Sequence, residues 1–258
     1  MKLSIITINY NNCSGLQRTI QSIAKQNCKD FEYVVVDGGS TDKSVGIIKE
    51  YENYISKWVS EPDGGIYNAI NKGARLASGD YCLYINAGDE LYAENTIEEI
   101  LSQELTADFI EGRVQFLDAR GGFSTPEKNI SLMYFYKGEN NRHQASIIRR
   151  TMILEHPYDE SYKIAADKKF NIENIVVRGC SFKTIDTVIA KYEGGGVSWT
   201  IKHDDEIERM FTELIPPAIL KDYVELSVIY KFPLKQLWPL LRKIGIYLSK
   251  MKYSIQKK

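Results

Sequence analysis

Sulfur, long apolar runs and net charge are all scarce in this chain. Its four cysteines, Cys13, Cys28, Cys82 and Cys180, are scattered over 258 residues and form no C-x-x-C pair. That spacing matches neither a zinc site nor a disulfide framework, and the expectation is free thiols in a reducing cytoplasm. No apolar stretch reaches the length of a membrane span. The amino-terminal apolar run is interrupted by Asn9, Asn11 and Asn12, so it does not read as a signal peptide. No G-x-G-x-x-G follows that run, which argues against a dinucleotide-dependent dehydrogenase. Internal repeats and low-complexity segments are absent. Net charge is −1, unevenly spread: Leu226 to Lys258 holds eight Lys or Arg and no Asp or Glu, leaving −9 on residues 1–225. A basic, aromatic-rich tail on an acidic body predicts either an anionic partner such as a lipid surface or a helix packed on the domain with a solvated basic face. No nucleic-acid module is visible.

What is present reads as alternating strands and helices. An apolar content of 43% and 258 residues suffice for one large α/β domain with an appendage. Leu3–Ile8 reads as a strand, and residues 14–26 as a helix opened by Ser14, with Leu16, Ile20 and Ile23 at helical spacing. Phe31–Val36 is a second strand. Thr41 or Asp42 caps the next helix, which carries Val45, Ile48 and Tyr51 inward. Lys57–Val59, a helix over Gly65–Ala77 and the strand Tyr81–Ile85 follow. This alternation implies βαβ units and a mainly parallel sheet. Beyond Asp89 the spacing predicts a helix over 94–104, strands at Asp108–Leu117, Phe123–Thr125 and Ser146–Ile148, a helix over 165–178 and a strand over Phe182–Tyr192. From about 199 the pattern is helical and amphipathic, with a break at Pro216-Pro217. The expected division is a main domain over 1–198, with a nucleotide-binding half to 90 and an acceptor half from 91, then a helical tail over 199–258.

The most informative stretch is Tyr81-Cys-Leu-Tyr-Ile-Asn-Ala-Gly-Asp89. An apolar strand ends abruptly in a polar turn that closes on a carboxylate. Open α/β sheets bind ligands at that strand end, and nucleotide sites hold Mg²⁺ with one or two carboxylates plus phosphate oxygens. The competing reading is a plain surface turn built from turn-forming residues. Either way, Asp89 is expected at a polar strand end rather than in the core.

Four segments in order, SIITINYNN, VVVDGGSTD, SEPDGGIYNAINKGARLASGDY and LYINAGD, resemble the inverting glycosyltransferases of family 2. HQAS at 143–146, DESYKIAAD at 159–167 and GGGVS at 194–198 resemble the bacterial surface-polysaccharide branch of that family. The resemblance spans about 200 residues and is specific in combination. It implies an α/β GT-A fold: a Rossmann-like nucleotide-binding sheet, an acceptor-side extension and carboxy-terminal amphipathic helices. It also implies a nucleoside-diphosphate sugar donor, Mg²⁺ or Mn²⁺ as cofactor, and a glycan acceptor, lipid-linked, at the inner face of the membrane. The implied family positions are Thr7, Asn9 and Tyr10 around the nucleoside, Asp37 on the base, Asp63 near base and ribose, Asn86 and Asp89 at the two ends of the metal motif, and Asp167 as catalytic base. His143, Gln144, Gly195 and Ser198 fall on the acceptor or diphosphate side, and His203, just past them, is a weaker candidate for a further metal contact.

Each position keeps a bland alternative. Asp37 could fix its own turn, and Asp167 could cap a helix. As a base reader, a carboxylate suits the imide N–H of uracil or thymine or the paired donors of guanine, favouring UDP, dTDP or GDP over CDP or ADP. The metal motif departs from the family's usual D-x-D or D-x-D-D, because Asn86 and Gly88 are neutral and Asp89 is the one strong ligand. Metal binding by the protein alone is therefore expected to be weak, with the metal arriving together with the nucleotide. A non-catalytic nucleotide-sugar-binding protein and a nucleotidyltransferase are the alternatives; the second lacks the basic first loop it needs, since YNNCSG has no Lys or Arg.

Overall fold

The computed structural model describes residues 2–118, 120–194 and 204–231, with side chains up to 225. The chain divides into two compact units, Met1–Met210 and Phe211–Lys258. The first is built on an eight-stranded sheet ordered β3-β2-β1-β4-β7-β6-β8-β5. Its strands are β1 Leu3–Asn9, β2 Glu32–Asp37, β3 Lys57–Ser60, β4 Tyr81–Tyr84, β5 Glu90–Leu91, β6 Phe109–Phe116, β7 Ser146–Arg149 and β8 Phe182–Tyr192. The helices of this unit are α1 Cys13–Ala24, α2 Ser44–Glu50, α3 Ile66–Leu76, α4 Thr96–Leu101, α5 Leu132–Tyr136, α6 Arg150–Glu155 and α7 Ala166–Asn171.

β1 to β4 form the expected parallel block, and β1, β2 and β4 are buried along their whole length. Strands covered on both faces read as continuous apolar runs, which is why VVV and IITI were legible. The other half is mixed. β7 runs antiparallel to both β4 and β6, β8 is parallel to β6, and β5 is antiparallel to β8. The sheet as a whole is thus less parallel than the alternation predicted.

Local chemistry moved several boundaries. α1 is capped by Asn12, not Ser14: the Asn12 side chain accepts from the Gly15 N–H at 3.1 Å. A Cβ on Gly15 would lie 2.3 Å from that amide, so glycine is needed for the approach. The N-cap of α2 is Lys43, not Thr41 or Asp42, although Asp42 accepts from the Ser44 N–H at 2.9 Å beside it. Phe123–Thr125 is not a strand. It makes one bridge, Phe123 to Gln115, because Gly121 and Gly122 turn the chain back at φ of 60° and 68°. The helix expected over 165–178 is α only to Asn171 and π-helical over Ile172–Val177.

Two further helices are described. α8 spans Asp204–Leu214, reaching across the division between the units, and α9 spans Pro217–Lys231 with the break at Pro216-Pro217 as expected. α8 gathers its apolar residues on one side, whereas α9 distributes them around the helix. No described helix is long and apolar enough to cross a membrane. The residues from 232 to 258, which carry most of the basic tail, lie outside the described residues.

Candidate functional site

The carboxyl ends of β1, β2 and β3 finish level. Asn9 of β1 stands opposite Asp37 of β2, and Asp37 opposite Ser60 of β3. Asp37 is fully buried, and the chain itself satisfies its carboxylate. Oδ1 accepts from Asn9 Nδ2 at 2.7 Å and Ser40 Oγ at 2.6 Å. Oδ2 accepts from the Ser40 N–H at 2.9 Å and Ser60 Oγ at 2.6 Å. Burial pushes its pKa up, but the hydrogen bonds from Ser40, Ser60 and Asn9 outweigh burial and hold it below the usual carboxylate value. Thr7 is also internal: its hydroxyl donates to the Ile85 carbonyl at 2.8 Å and accepts from Tyr33 at 3.0 Å. Neither Thr7 nor Asp37 is on the wall of the cavity beside this edge.

That cavity measures about 1030 Å³. Its wall brings together Asn9, Tyr10, Asp63, Asn86, Asp89, His143, Gln144 and Asp167. They come from positions up to 158 residues apart in sequence (Asn9 to Asp167), so the fold unites candidates that spacing alone could not. At one end, Tyr10 and Asp63 close over Gly38. A Cβ there would sit 2.5 Å from Asp63 Oδ2 and 3.3 Å from the Tyr10 ring. Asp63 Oδ1 accepts from the Gly65 N–H at 2.9 Å. The Oδ1 atoms of Asn9 and Asn86 are buried without a hydrogen-bond partner. The chain leaves these two acceptors unmatched, on residues that line a ligand-sized cavity.

The turn after β4 is shaped from behind. Thr19 Oγ1 accepts from the Gly88 N–H at 3.0 Å and lies 2.6 Å from the Asp89 carbonyl. Asn12 Nδ2 donates to the Ala87 carbonyl at 3.0 Å, so the cap of α1 also fixes this turn. Gly88 holds φ at 110°, which a side chain would strain. Asp89 is not at an open polar end as the sequence suggested; it is only 8% exposed. Burial drives its pKa up to about 7; a hydrogen bond from Gln144 opposes the rise and the charge of Glu193 adds to it. His143 stacks on Tyr84 with ring centroids 5.2 Å apart, and burial holds its pKa down to about 4, so it is neutral near pH 7. Its Nε2 is buried without a partner.

Asp167, in the first turn of α7, lines the same cavity. It does not cap the helix: the N-cap is Ala165, without a side-chain cap bond. Asp167 Oδ1 accepts from the Lys168 N–H at 2.7 Å and Oδ2 from Asn140 Nδ2 at 2.9 Å. Burial raises its pKa above the usual carboxylate value, against these bonds and the Lys168 charge. The preceding backbone is tied down by Glu206 of α8. Its carboxylate accepts from three successive N–H groups, Lys163 at 2.6 Å, Ile164 at 3.0 Å and Ala165 at 2.9 Å. Gly195, Ser198 and His203 lie outside the described residues. Sequence reasoning did not single out Thr19, Asn140 or Glu206, because each acts through a fold contact and sits in no motif of its own.

Among the described residues, no group of three His, Cys, Asp or Glu could hold a metal ion by itself. Asp89 nevertheless suits a cation. It is a buried carboxylate whose ionisation is resisted by burial and by a second negative charge, on the wall of a ligand-sized cavity.

A sheet of this topology, with a ligand-sized cavity along the carboxyl edge of its parallel strands, suits a nucleotide-binding GT-A fold. The model described as Glycosyl transferase family 2 matches residues 4–154, and the chain belongs to that family. It is a glycosyltransferase using a nucleotide-sugar donor. It is 33% identical over 205 residues to an uncharacterised glycosyltransferase of Mycobacterium tuberculosis, covering 76% of each chain. It is 31% identical over 219 residues to a PGL/p-HBAD biosynthesis glycosyltransferase of Mycobacterium bovis, covering 80% of this chain and 83% of that one. Among solved structures, S. aureus TarS 1–349 in complex with UDP-GlcNAc superposes with a TM-score of 0.67 at 20% identity, covering 91% of this chain and 74% of that one. The chain spans 38% of a longer TarS chain. The mannosyltransferase PcManGT from Pyrobaculum calidifontis, solved with GDP-Man and Mn²⁺, superposes with a TM-score of 0.58 at 16% identity, covering 98% and 82%. At these identities the structural likeness speaks for the fold.

Proposed function

We propose that this protein moves one sugar, with inversion, from a UDP-, dTDP- or GDP-sugar to a hydroxyl of a glycan acceptor, lipid-linked, in bacterial surface-polysaccharide assembly. The observation that carries the reading is the pair Asp89 and Asp167 on one cavity wall, each buried enough for its ionisation to be resisted. Asp167 takes the proton from the attacking acceptor hydroxyl; a raised pKa makes it a stronger base near neutral pH. Mg²⁺ or Mn²⁺, held by Asp89 together with diphosphate oxygens, would neutralise charge on the leaving group. Neutral His143 and Gln144 line the diphosphate or acceptor side, with Gly195 and Ser198 assigned there by resemblance. Tyr10, Asp63 and the unmatched Oδ1 of Asn9 surround the base, and Asp37 serves by holding the Asn9 amide. Those acceptors favour a base that presents an N–H donor.

One relative carries the name of a PGL/p-HBAD biosynthesis glycosyltransferase, which supports a biosynthetic sugar transfer, and the UDP-GlcNAc and GDP-Man complexes support a pyrimidine or guanine donor. A panel of nucleotide sugars with and without Mn²⁺, read by thermal shift and by released nucleoside diphosphate, tests the reading. The expected result is stabilisation by one UDP-, dTDP- or GDP-sugar and Mn²⁺-dependent turnover. Asp167→Asn lowers that turnover by about two to four orders of magnitude with unchanged donor affinity. Equal loss of donor binding would reduce Asp167 to a structural role.

The division into a main domain over 1–198 and a tail over 199–258 belongs to the same proposal. So does a peripheral position at the cytoplasmic membrane face, through the eight basic residues of 226–258. Each contributes on the order of 1 kcal/mol at an anionic surface and is screened by salt. Full-length protein is expected to float with anionic vesicles at low salt and to release at high salt. A chain that ignores such vesicles at low salt removes the membrane reading.

A further inference from the structure

Asp167 needs a side-chain donor to set its direction, and two groups approach it. Tyr67 of α3 places its hydroxyl 3.5 Å from Asp167 Oδ1. That hydroxyl has one proton, and it donates it in a much shorter bond to the Ile164 carbonyl. Asn140 is different. Its Nδ2 donates to Asp167 Oδ2 at 2.9 Å. Its Oδ1 accepts from the Asn141 N–H at 3.0 Å and from Asn171 Nδ2 at 2.9 Å. A backbone N–H can only donate, so the amide oxygen must face Asn141 and the amide nitrogen must face Asp167.

The Asn140 main chain is fixed as well. Tyr134 donates to its carbonyl at 3.0 Å. The next two residues are pinned to β6 by Glu111, which is 2% exposed. Glu111 accepts from the Asn141 side chain and from the Arg142 N–H at 2.9 Å. Asn140 thus joins β6, through Glu111, to the end of α7, through Asn171, and holds Asp167 between them.

We propose that Asn140 is a positioning residue for the reaction, fixing the direction in which the Asp167 carboxylate meets the acceptor hydroxyl. This rests on the reading of Asp167 as base. The charged and titratable groups facing Asp167 are Tyr67 from α3, Tyr158, and Lys168 on its own helix, with Glu139 beside Lys168. Burial keeps both tyrosines protonated near neutral pH, and their own pKa values are raised further by Asp167. Lys168 is present in every variant considered below. Removing Asn140 therefore removes a donor that favours the ionised carboxyl, and nothing else in the set changes charge.

The test follows the Asp167 carboxyl directly. In full-length protein with ¹³C-labelled aspartate, its carbon resonance is assigned by its absence in Asp167→Asn and titrated with pH. In Asn140→Ala the midpoint is expected to rise by about one pH unit, the worth of one charge-assisted hydrogen bond. In Asn140→Asp, which keeps the size and the oxygen facing Asn141, it rises further, because a second carboxylate faces the first. A merely structural loop role would lower the melting temperature and leave the midpoint in place. An unmoved midpoint in either folded variant overturns the proposal. The base reading is separable: if Asp167→Asn keeps wild-type turnover, that reading falls whatever the titration shows. If both hold, Asn140→Ala lowers turnover at least tenfold in wild type at about pH 7 and hardly at all in the Asp167→Asn background.

Discussion

Two buried carboxylates sit at opposite ends of the same parallel block, and their surroundings could hardly differ more. Glu32 opens β2, at the amino edge of the sheet. It accepts from Ser4 Oγ at 2.6 Å, Ser78 N–H at 2.6 Å and Ser78 Oγ at 2.9 Å, and it pairs with Lys57 at 2.8 Å. Burial works to raise its pKa, but Lys57 and the serines overwhelm it and bring the value down to about 2. Asp89 follows β4 at the carboxyl edge, and Gln144 is the donor that opposes its burial, leaving it at about 7. The fold completes Glu32 and leaves Asp89 incomplete. A carboxylate satisfied inside the chain stabilises the fold. One held in a cavity with too few donors stores an unmet demand that a cation and a diphosphate can satisfy.

The sharpest way to break that contrast is Asp89→Asn. It keeps the shape and removes the anionic ligand, so turnover at limiting Mn²⁺ is expected to fall by about a hundredfold or more, with the melting temperature little changed. Near-wild-type turnover would show that Asp89 is as structural as Glu32.

Glu32→Gln should do the reverse. It is expected to cost on the order of 2–3 kcal/mol of stability, after discounting for the half-exposed Lys57, and to leave turnover per folded molecule intact. The pH dependence fixes the sign. The folded pKa of Glu32 lies below its unfolded value, so its contribution is complete above about pH 4.5 and disappears as pH falls through about 2. Urea unfolding of wild type and variant should therefore differ at pH 6 and converge near pH 2. A gap that persists at pH 2 would assign the loss to packing rather than to the charge.

Asp37 sharpens the comparison, since it lies at the functional edge but is satisfied as Glu32 is. If completeness rather than location decides the role, Asp37→Asn costs about 1–2 kcal/mol of stability and preserves the ranking of UDP, dTDP and GDP over CDP and ADP. A flattened ranking in calorimetry would place Asp37 in direct contact with the base.

The part of this picture legible in sequence was the part with short-range causes. β1, β2 and β4 announced themselves by apolar runs, and Asn9, Tyr10, Asp63, Asn86 and Asp89 by standing in polar turns where such runs stop. What was hidden needed partners distant in sequence. Nothing in VVVDGG reveals that Ser60, 23 residues on, will satisfy Asp37. Nothing near Asp89 reveals that Gln144, 55 residues later, will cover it. Asn140 stands in no motif, and its three side-chain bonds depend on where Asn141, Asp167 and Asn171 come to rest. The two-residue strand β5 and the six-residue helix α6 are too short to leave a periodic trace.

The antiparallel strand at the centre of the sheet has a consequence for how the protein is made. β7 alone joins β4 to β6, so when β4 leaves the ribosome it has β1 on one side and nothing on the other. Its partner begins roughly sixty residues later. At about 5–20 residues per second that is roughly 3–12 s during which an apolar edge, Tyr81–Tyr84, stands unpaired. Nascent chains stalled anywhere between these two strands should be the most adhesive ones, and the ones most in need of a chaperone.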